Sequence, residues 1–460
     1  MKTAAMSTEQ QDLVAFLKMP SAYPHRTRRV RCIETHISWV FIASPFVFKV
    51  KKPLALGFLD FRTLKLRCHF CERELELNRR LAPNVYLDVL AIYKSDRGFS
   101  FQPDGEIVEY VLKMKELSRG WFLRALLRKS AAGEAEIDRI ISRLKSFYDS
   151  ETPTAEIEQW GQVEKIRIST DENFKQVQPF VGRTITPVAF EAIRRFTDKF
   201  YARQKRLFQE RIAQHRILDC HGDLHLDHIH ITPDAVTIFD CIEFNDRFRF
   251  IDIANDLAFL AMDFDFERKY KLGSLFLHHS AETLRDPGIA KIADFYKCYR
   301  AFIRGKVESL QMKSEEHAQR SQRYFQLALR YATIGSGPVV LAVMGRIATG
   351  KSTVAKRLAS ELDWAVFSSD EIRKKLAGLL LHIRTPPQAR AQVYSEQMTK
   401  KTYDRLLKKG LAAAQGGSGV VLDATFSDPS TREGLIRKCA RAGVRLQLIE
   451  LDSDRETIQK

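Results

Sequence analysis

A glycine-rich turn between an apolar run and a helical run constrains this chain more than any other feature. It lies in the segment VVLAVMGRIATGKSTVAKRLA, where Gly345, Gly350, Lys351 and Ser352 have the spacing GxxxxGK[ST]. Glycines at this spacing let backbone N–H groups surround phosphate oxygens, and the following helix adds the positive end of its dipole. The motif predicts a strand, a phosphate-binding loop and a helix in a parallel α/β domain that binds ATP.

The side chains around this loop have predicted roles in holding a nucleotide and its metal ion. Lys351 reaches the terminal phosphates, the Ser352 hydroxyl coordinates Mg²⁺, and Thr353 belongs to the same nucleotide-binding set. A second apolar run, GGSGVVLDATF, ends in Asp423. A carboxylate at the end of such a strand holds the water shell of Mg²⁺, although it can also cap a helix. We expect Asp423 to be a metal-site residue.

Between these two strands lies the segment FSSDEIRKKL, which resembles the Asp-x-[IV]-Arg segment of the small P-loop kinases of the gluconate, shikimate and polynucleotide 5′-kinase type. The resemblance implies that Asp370 accepts the proton of an acceptor hydroxyl and that Arg373 binds its phosphate or another anion. A simple helix N-cap is the alternative for Asp370. Such kinases continue into an arginine-bearing lid, whereas this chain stops at Lys460, so we expect the lid and the last elements to be lacking.

The chain divides into regions of different pattern. Its 460 residues, at roughly 150 residues per domain, favour two to four folded units. Gly, Ser and Pro occur together in TIGSGP, which marks the clearest boundary. We predict an N-terminal extension over 1–32, a small sheet with one helix over 33–115, a mainly helical region over 116–332, a linker over 333–338, and the phosphate-loop domain over 339–460.

The densest group of reactive side chains lies in CHGDLHLDHIHI and in the strand-like run VTIFDCIEF that follows it. Asp223 and Asp240 stand at the ends of adjoining strands in this pattern. Phosphoryl transfer needs one carboxylate that orients a hydroxyl and one that holds Mg²⁺, because positioning and charge neutralisation supply most of its catalysis. The histidines from His221 to His230 permit a zinc site as the alternative.

The motif HGDLH at 221–225 resembles the catalytic loop of the aminoglycoside phosphotransferase and choline kinase branch of the protein-kinase-like fold. The resemblance implies that Asp223 is the catalytic base, that His221 is its structural neighbour, and that Asp240 is the metal-binding residue of the following strand. That family commonly has Asn five residues after the base, whereas this chain has His228. We expect His228 to be a metal ligand, though imidazole suits Mg²⁺ less well than an oxygen ligand does.

The later carboxylates Asp252 and Asp256, in FIDIANDLAFL, resemble the family's motif at a helix start and are expected to be structural. The segment EYVLKM at 109–114 is expected to connect the two lobes, with its backbone meeting adenine.

The strand-like run PFVFKVKKP offers the phosphate-binding lysine. Lys49 and Lys51 face one side of such a strand, because side chains alternate along it. We choose Lys49, with Lys51 as the second candidate. The following helix offers Glu72, Glu74 and Glu76, and we choose Glu74 as the partner of the lysine because it lies on one helical face with Leu81. Surface charge is the alternative for all of them.

The order of the two parts resembles bacterial fusion proteins described as bifunctional aminoglycoside phosphotransferase and ATP-binding proteins. The resemblance rests on THISWVF, FKVKKP, GFLDF, ELNRRLAP, CHGDLHL and FDCIEFN, and it covers about 30–460. It implies an α/β and α+β multidomain chain, in which a bilobal protein-kinase-like domain precedes a P-loop NTPase domain with a parallel sheet.

We therefore expect an ATP-dependent phosphotransferase that acts on a small hydroxyl compound and carries a second ATP-binding site. The net charge is +17, and residues 337–460 hold 21 basic and 13 acidic residues, which favours anionic partners. A nucleic-acid 5′-end kinase is therefore one alternative, and a regulatory protein that binds ATP without transfer is another. Seven scattered cysteines, and the absence of a signal or an apolar membrane span, predict a cytoplasmic protein without a membrane partner.

Overall fold

The computed structural model describes residues 7–312, 314–346, 348–381, 385–416 and 419–452. The chain forms two compact units. The first consists of the residues up to 168 together with 205–260 and 276–290, and the second consists of 169–204, 261–275 and the residues from 291 onward. Each of the two predicted sites lies within one unit. The HGDLH loop belongs to the first unit, and the phosphate loop belongs to the second.

The N-terminal part of the first unit is an antiparallel sheet with a helix on each face. Six strands form this sheet in the order β1-β2-β3-β8-β6-β7, and β4 and β5 form a separate hairpin. The strands are β1 Arg31–Glu34, β2 Ser38–Ala43, β3 Phe46–Lys51, β4 Ala55–Leu56, β5 Leu59–Asp60, β6 Tyr86–Ser95, β7 Gly98–Ser100 and β8 Glu106–Lys115. The helices are α1 Thr8–Leu17 and α2 Leu64–Arg79.

Alternation along β3 separates the core of this sheet from its reactive face. Phe48 and Val50 are fully buried in one apolar cluster, to which Leu13, Val14 and Leu17 of α1 also belong. The lysines at the intervening positions point to the opposite face, as the period of two requires. The sequence predicts an extension over residues 1–32. In the structure, α1 of this segment contributes to the core of the sheet.

The prediction that residues 109–114 connect the lobes is wrong. They lie inside β8, which pairs with β3 on one side and with β6 on the other. Residues 111–114 pair with both neighbouring strands and 109–110 pair with β6, so the segment is part of the sheet and not a connection between lobes. The chain leaves the sheet only after Lys115, where the backbone N–H of Glu116 donates to the carbonyl of Pro45 at 2.9 Å.

The middle of the chain is mainly helical. Its helices are α3 Leu123–Arg128, α4 Glu134–Ser150, α5 Ala155–Glu158, α6 Val163–Val177, α7 Pro187–Arg203, α8 Lys205–Ala213, α9 Ile253–Phe266, α10 Tyr270–Thr283, α11 Gly288–Leu310 and α12 Glu315–Thr333. Four short strands interrupt them, namely β9 Ile217–Asp219, β10 Ile229–Ile231, β11 Val236–Ile238 and β12 Phe250–Asp252, which form the pairs β10-β11 and β12-β9. Of the residues that the structure describes, no helix is long and apolar enough to cross a membrane.

The C-terminal domain is a parallel sheet with the strand order β14-β15-β13-β16. Its strands are β13 Val339–Gly345, β14 Ala365–Ser368, β15 Val420–Asp423 and β16 Arg445–Leu451, and its helices are α13 Lys351–Leu362, α14 Ser369–Leu376, α15 Arg390–Val393, α16 Glu396–Gln415 and α17 Pro429–Arg441. Since β13 and β15 are neighbouring parallel strands, their carboxyl ends meet at one edge, with Val343 opposite Asp423. The fold class expected from the sequence is confirmed.

The segment between α12 and β13 is held by side chains within the second unit. The Ser336 hydroxyl donates to Asp294, and Lys297 donates to the same hydroxyl at 2.8 Å. Its backbone carbonyl accepts from Arg330 at 3.1 Å. The segment that the sequence describes as a linker is therefore tied to α11 and α12 by several polar contacts.

Candidate active site

The HGDLH loop follows β9 and is shaped by a buried carboxylate. The backbone N–H groups of His221 and Gly222 donate to Asp256 at 3.1 and 3.0 Å, and the Tyr148 hydroxyl donates to the same side chain at 3.0 Å. Gly222 has a φ of +82°, and a Cβ there would stand 2.6 Å from the carbonyl oxygen of Phe248. The loop therefore requires glycine at this position, and Asp256 acts through the backbone of the loop.

His221 is a buried, neutral residue that supports this loop through hydrogen bonds. Its Nε2–H donates to the carbonyl of Phe239 at 2.9 Å, and its Nδ1 accepts from the backbone N–H of Asp223 at 3.2 Å. Burial, assisted by the nearby His228, lowers the pKa of His221 to about 3. His221 thus fixes the backbone direction at Asp223 without carrying charge itself.

The Asp223 carboxylate lies beside two imidazoles and remains about one-third exposed. Its Oδ2 is 3.4 Å from His225 Nε2 and 3.5 Å from His228 Nδ1. His225 Nδ1 accepts from the backbone N–H of Asp227 at 3.3 Å, so its proton is on Nε2 and points toward Asp223. Asp223, His225 and His228 also form the group of three potential metal-ligating side chains found among the described residues.

His228 stands between the two carboxylates that the sequence singles out. Its Nδ1–H donates to the backbone carbonyl of Asp223 at 2.9 Å, and its Nε2 is 3.4 Å from Asp240 Oδ2. Burial lowers the pKa of His228, and His225 adds to this effect, against the opposing carboxylates. The structure therefore places the predicted base, Asp223, and the predicted metal ligand, Asp240, on either side of the His228 imidazole.

The backbone at Asp240 is held in a conformation that few side chains adopt. Its φ is +64°, in the left-handed region that Asp tolerates better than most residues. The backbone N–H of Asp240 donates to the Tyr86 hydroxyl at 3.1 Å, and the next N–H, of Cys241, donates to Asn78 Oδ1 at 2.8 Å. Two buried side chains, from α2 and β6, thus fix the turn that presents the Asp240 carboxylate.

Lys49 joins this turn to α2. Its Nζ donates to Glu74 Oε1 and to Asp240 Oδ1, each at 2.8 Å. Burial alone would lower the pKa of Lys49, but the carboxylates of Asp240 and Glu74 outweigh it and hold the pKa well above its usual value. Burial would likewise raise the pKa of Asp240, yet Lys49 and His228 keep it below its usual range. The lysine and both carboxylates are therefore charged at neutral pH.

Lys51, the second candidate lysine, takes a different place in the same network. It donates to Glu74 Oε2 at 2.6 Å and to Glu243, and it is 1% exposed. Burial raises the pKa of Glu243 although Lys51 opposes this effect. Glu74 therefore binds one lysine with each oxygen, so that Lys51 and Glu243 support the pair that faces the site.

Sequence reasoning missed Asn78, Tyr86, Glu243 and the donor role of His225. A signal for the first of these was present on α2. Arg67, Cys71, Glu74 and Asn78 recur at helical spacing and are all buried. Polar side chains on the buried stripe of a helix are unusual unless they are paired, so the stripe itself marks a polar network.

The phosphate loop forms its predicted constellation at the edge of the parallel sheet. The Ser352 hydroxyl donates to Asp423 Oδ2 at 2.6 Å, and Asp423 is buried at the end of β15. Lys351 donates to the carbonyl of Arg346 within its own loop, and burial lowers its pKa against the opposing effect of Asp423. The side chains expected to hold a phosphate and a metal ion therefore bond to one another and to the loop.

The glycines of this loop occupy conformations that favour glycine. Gly345 and Gly350 have φ values of +140° and +78°, and a Cβ on Gly345 would stand 2.2 Å from the carbonyl oxygen of Leu451. Thr353 lies exposed in the first turn of α13. The close approach of β16 to Gly345 explains why the first glycine of the motif cannot carry a side chain here.

Asp370 and Arg373 contact residues outside the phosphate loop. Asp370 is more than half exposed and forms an ion pair with Lys374, one helical turn later, at 2.9 Å. Arg373 is buried, and it donates to the carbonyl of Val393 at 3.2 Å and to the Thr399 hydroxyl at 2.9 Å. These contacts tie α14 to the α15–α16 region. The expected lack of a lid concerns residues after 452, which lie outside the described residues.

Comparison with solved structures finds similar chains of low identity. The GDP complex of aminoglycoside 2′-phosphotransferase-IIIa is 13% identical with a TM-score of 0.40, and the match covers 70% of this chain and 99% of that one. Choline kinase from Cryptosporidium parvum is 12% identical with a TM-score of 0.41, covering 71% and 95%. The microcompartment-associated aminopropanol kinase is 13% identical with a TM-score of 0.41, covering 70% and 96%.

Comparison of sequences gives a family model and close relatives. Residues 340–460 match the model of an AAA domain. The uncharacterized proteins Rv2004c of Mycobacterium tuberculosis and Mb2027c of Mycobacterium bovis are each 31% identical over 413 residues, which is 89% of this chain and 80% of the relative. The chain therefore belongs to the family of these mycobacterial proteins, and its residues 340–460, which hold the phosphate loop, match an AAA domain.

Proposed function

We propose that this protein is an ATP-dependent phosphotransferase that moves the γ-phosphate to a hydroxyl of a small-molecule acceptor. The observation that carries the proposal is the position of Lys49, whose Nζ lies 2.8 Å from both Glu74 and Asp240. A lysine held between a helix carboxylate and a metal-binding carboxylate is the arrangement that phosphoryl transfer needs in a kinase-like site.

In this proposal, Asp223 is the catalytic base. The acceptor oxygen attacks the γ-phosphorus, its proton passes to the Asp223 carboxylate, and the bond to the bridging oxygen breaks so that ADP leaves. Lys49, aligned by Glu74, binds the ATP phosphates and keeps them in line with the acceptor. His221 and His225 hold the base in place. His221 bonds to the backbone N–H of Asp223, and His225 faces the Asp223 carboxylate.

The residues around His228 fit a divalent cation. His228 Nε2 and Asp240 Oδ2 face each other at 3.4 Å, and the hydrogen on Nδ1 leaves Nε2 as an acceptor. Two acceptors that face one another favour a cation between them. A divalent ion held there, for which the sequence alone predicts Mg²⁺, would neutralise charge on the phosphate oxygens.

We propose that the phosphate-loop domain, taken as 339–460, binds a second ATP. Gly345, Gly350, Lys351 and Thr353 would surround the phosphates, and Ser352 with Asp423 would hold its metal ion. Asp370 and Arg373 retain their proposed roles as base and anion-binding residue only if both change partners on ligand binding. Binding without transfer is therefore the simpler role for this domain. The alternative of a regulatory protein that binds ATP without transfer thus applies to this domain.

The proposal leaves a small hydroxyl compound as the acceptor. The nucleic-acid end kinase remains a second candidate because the C-terminal region has 21 basic and 13 acidic residues. Contacts with phosphates would make the affinity for single-stranded ends fall steeply with salt. An affinity that salt does not change would count against that candidate.

The test measures acceptor-dependent ADP release by the full chain over a panel of hydroxyl compounds. Asp223→Asn keeps the size of the side chain and removes the base. We expect it to lower turnover by about 10²–10⁴-fold, the range that general base catalysis contributes. Asp234→Asn is the matched control, because Asp234 is exposed in the turn between β10 and β11. Equal turnover in the two variants would contradict the proposal.

A further inference from the structure

The hydrogen bonds of His228 bear on the kind of metal ion that the kinase-like site takes, which rests on the proposed function but is tested without turnover. A neutral imidazole has one N–H donor and one acceptor, and the donor is fixed at Nδ1 by the backbone carbonyl of Asp223 at 2.9 Å. The lone pair of Nε2 is therefore directed at the neighbourhood of Asp240.

The Asp240 oxygen that faces His228 Nε2 is also an acceptor. Asp240 Oδ1 takes the ammonium of Lys49 at 2.8 Å, which leaves Oδ2 toward His228 Nε2 at 3.4 Å. A charge-assisted N–H···O bond would be about 2.7–2.9 Å long. Two ligands each about 2.1 Å from one ion lie about 3.0 Å apart at a right angle and about 3.4 Å apart at the tetrahedral angle. The observed 3.4 Å is longer than a charge-assisted hydrogen bond and equals the tetrahedral spacing of two ligands of one cation.

His225 helps to decide which residues belong to the ligand set. Its Nδ1 accepts from the backbone N–H of Asp227, so its Nε2 carries a proton that points at Asp223 Oδ2, 3.4 Å away. A protonated nitrogen cannot coordinate. His225 therefore orients the base, and the protein ligands are His228 Nε2 and Asp240 Oδ2.

We propose that His228 and Asp240 form a site for a first-row transition ion of the Mn²⁺ class, which the protein binds in preference to Mg²⁺. Mg²⁺ is a hard ion that takes oxygen ligands and gives up its waters reluctantly. Imidazole suits first-row divalent ions, whose affinity for nitrogen ligands exceeds that of Mg²⁺. One nitrogen in the ligand set is therefore enough to change which ion occupies the site.

The test uses Mn²⁺ alone, without nucleotide, and the full chain carrying Ser352→Ala to remove the hydroxyl ligand of the phosphate loop. Electron paramagnetic resonance counts the bound Mn²⁺, and electron spin echo modulation detects a coordinated ¹⁴N. We expect one bound ion with imidazole modulation. Mg²⁺ should displace half of it only at 10-fold or greater excess.

Two variants assign the nitrogen. His228→Asn replaces the imidazole by an amide oxygen and should abolish the ¹⁴N modulation and weaken Mn²⁺ binding by about 10-fold or more. His225→Gln is the matched control and should retain the modulation. Modulation that persists in His228→Asn, or that is lost equally in His225→Gln, overturns the proposed ligand set. If His228→Asn does not fold, the competition in the parent protein decides, since displacement by an equal concentration of Mg²⁺ overturns the preference.

The outcomes also separate this inference from the proposed function. Mn²⁺ with imidazole modulation but without transfer to any acceptor would leave the inference standing and count against the phosphotransferase. Transfer supported by Mg²⁺, without a nitrogen ligand to Mn²⁺, would do the reverse.

Discussion

The two candidate nucleotide sites hold their lysines in different ways. In the kinase-like domain, Lys49 bonds to carboxylates that are 25 and 191 positions away in sequence. In the phosphate loop, Lys351 bonds to a backbone carbonyl that is five positions away. The first site is therefore assembled by packing between distant elements, whereas the lysine of the second site bonds to its own loop.

In the proposed function, this difference separates the roles of the two sites. Charges that are already paired and buried around Lys49 need little rearrangement when phosphates arrive, which favours catalysis by preorganised electrostatics. Lys351 must exchange its bond to Arg346 for a phosphate, so nucleotide binding at that loop is coupled to a local change. Each prediction below alters one side of this comparison.

The largest effect is expected at Glu74, which binds both Lys49 and Lys51. Glu74→Gln removes the shared charge and leaves two buried ammonium groups undercompensated. The free energy of unfolding should fall by about 3–5 kcal/mol, as for other broken buried pairs, and turnover should be lost with it. Urea unfolding, followed through its first transition, measures the loss.

Glu76→Gln is the matched control, because Glu76 lies on the same helix but is largely exposed beside Arg73. It should change the stability by no more than about 0.5 kcal/mol. Equal losses in the two variants would mean that the buried network has no special contribution.

The next effect is expected at the phosphate loop. Ser352→Ala removes the hydroxyl that donates to Asp423 and the proposed metal contact, so ATP affinity at this site should fall by about 10–100-fold, the range seen when support for a metal ligand is lost. Titration with a fluorescent ATP analogue measures it. Ser360→Ala, at an exposed position of the same helix, should bind as the unaltered chain does. A drop in kinase-like turnover in Ser352→Ala would break the separation of the two sites.

A pH-dependent effect is expected from His221. Its pKa is about 3 in the folded protein, below the unfolded value of about 6.5, so the unfolded chain binds more protons below pH 6.5. Its contribution to stability is thus complete above about pH 6.5 and is lost as pH falls toward 3, with a slope of about 1.4 kcal/mol per pH unit. Unfolding free energies between pH 7 and pH 4 measure this slope. His221→Gln should reduce it by that amount, whereas His278→Gln, at an exposed position, should not.

The smallest effect is expected at Asp370. Asp370→Asn breaks an ion pair with Lys374 in which the Asp370 side chain is 55% exposed, so stability should change by no more than about 0.5 kcal/mol. Acceptor-dependent ADP release should stay within twofold of the unaltered chain. A 10-fold loss of release would move the chemistry toward the phosphate-loop domain.

The two sites also differ in how far the sequence predicted them. The phosphate loop is a local motif, because the spacing of Gly345, Gly350 and Lys351 already requires a strand before it and a helix after it. The parallel sheet followed from the two apolar runs. The contacts of Arg373 did not follow, since they depend on where the residues of α15 and α16 pack.

The kinase-like site was predicted through its motifs and through one helical face. The sequence pairs Lys49 with Glu74 by the periods of strand and helix, and the structure places them in contact. It did not predict that Lys51 shares the same carboxylate, or that Asn78 and Tyr86 hold the turn at Asp240. These contacts join elements far apart in the chain, and local patterns carry no information about such register. The error at 109–114 has the same origin, since nothing local shows that β8 is paired on both edges.

The central claim is that transfer occurs at the Lys49 site while the phosphate loop binds nucleotide. The most direct measurement compares bound ATP and ADP release per chain in the intact protein, in Lys49→Met and in Lys351→Met. We expect Lys49→Met to lose turnover while the phosphate loop still binds ATP, and Lys351→Met to bind one ATP fewer while turnover continues. Loss of turnover in Lys351→Met, with turnover preserved in Lys49→Met, would contradict the account.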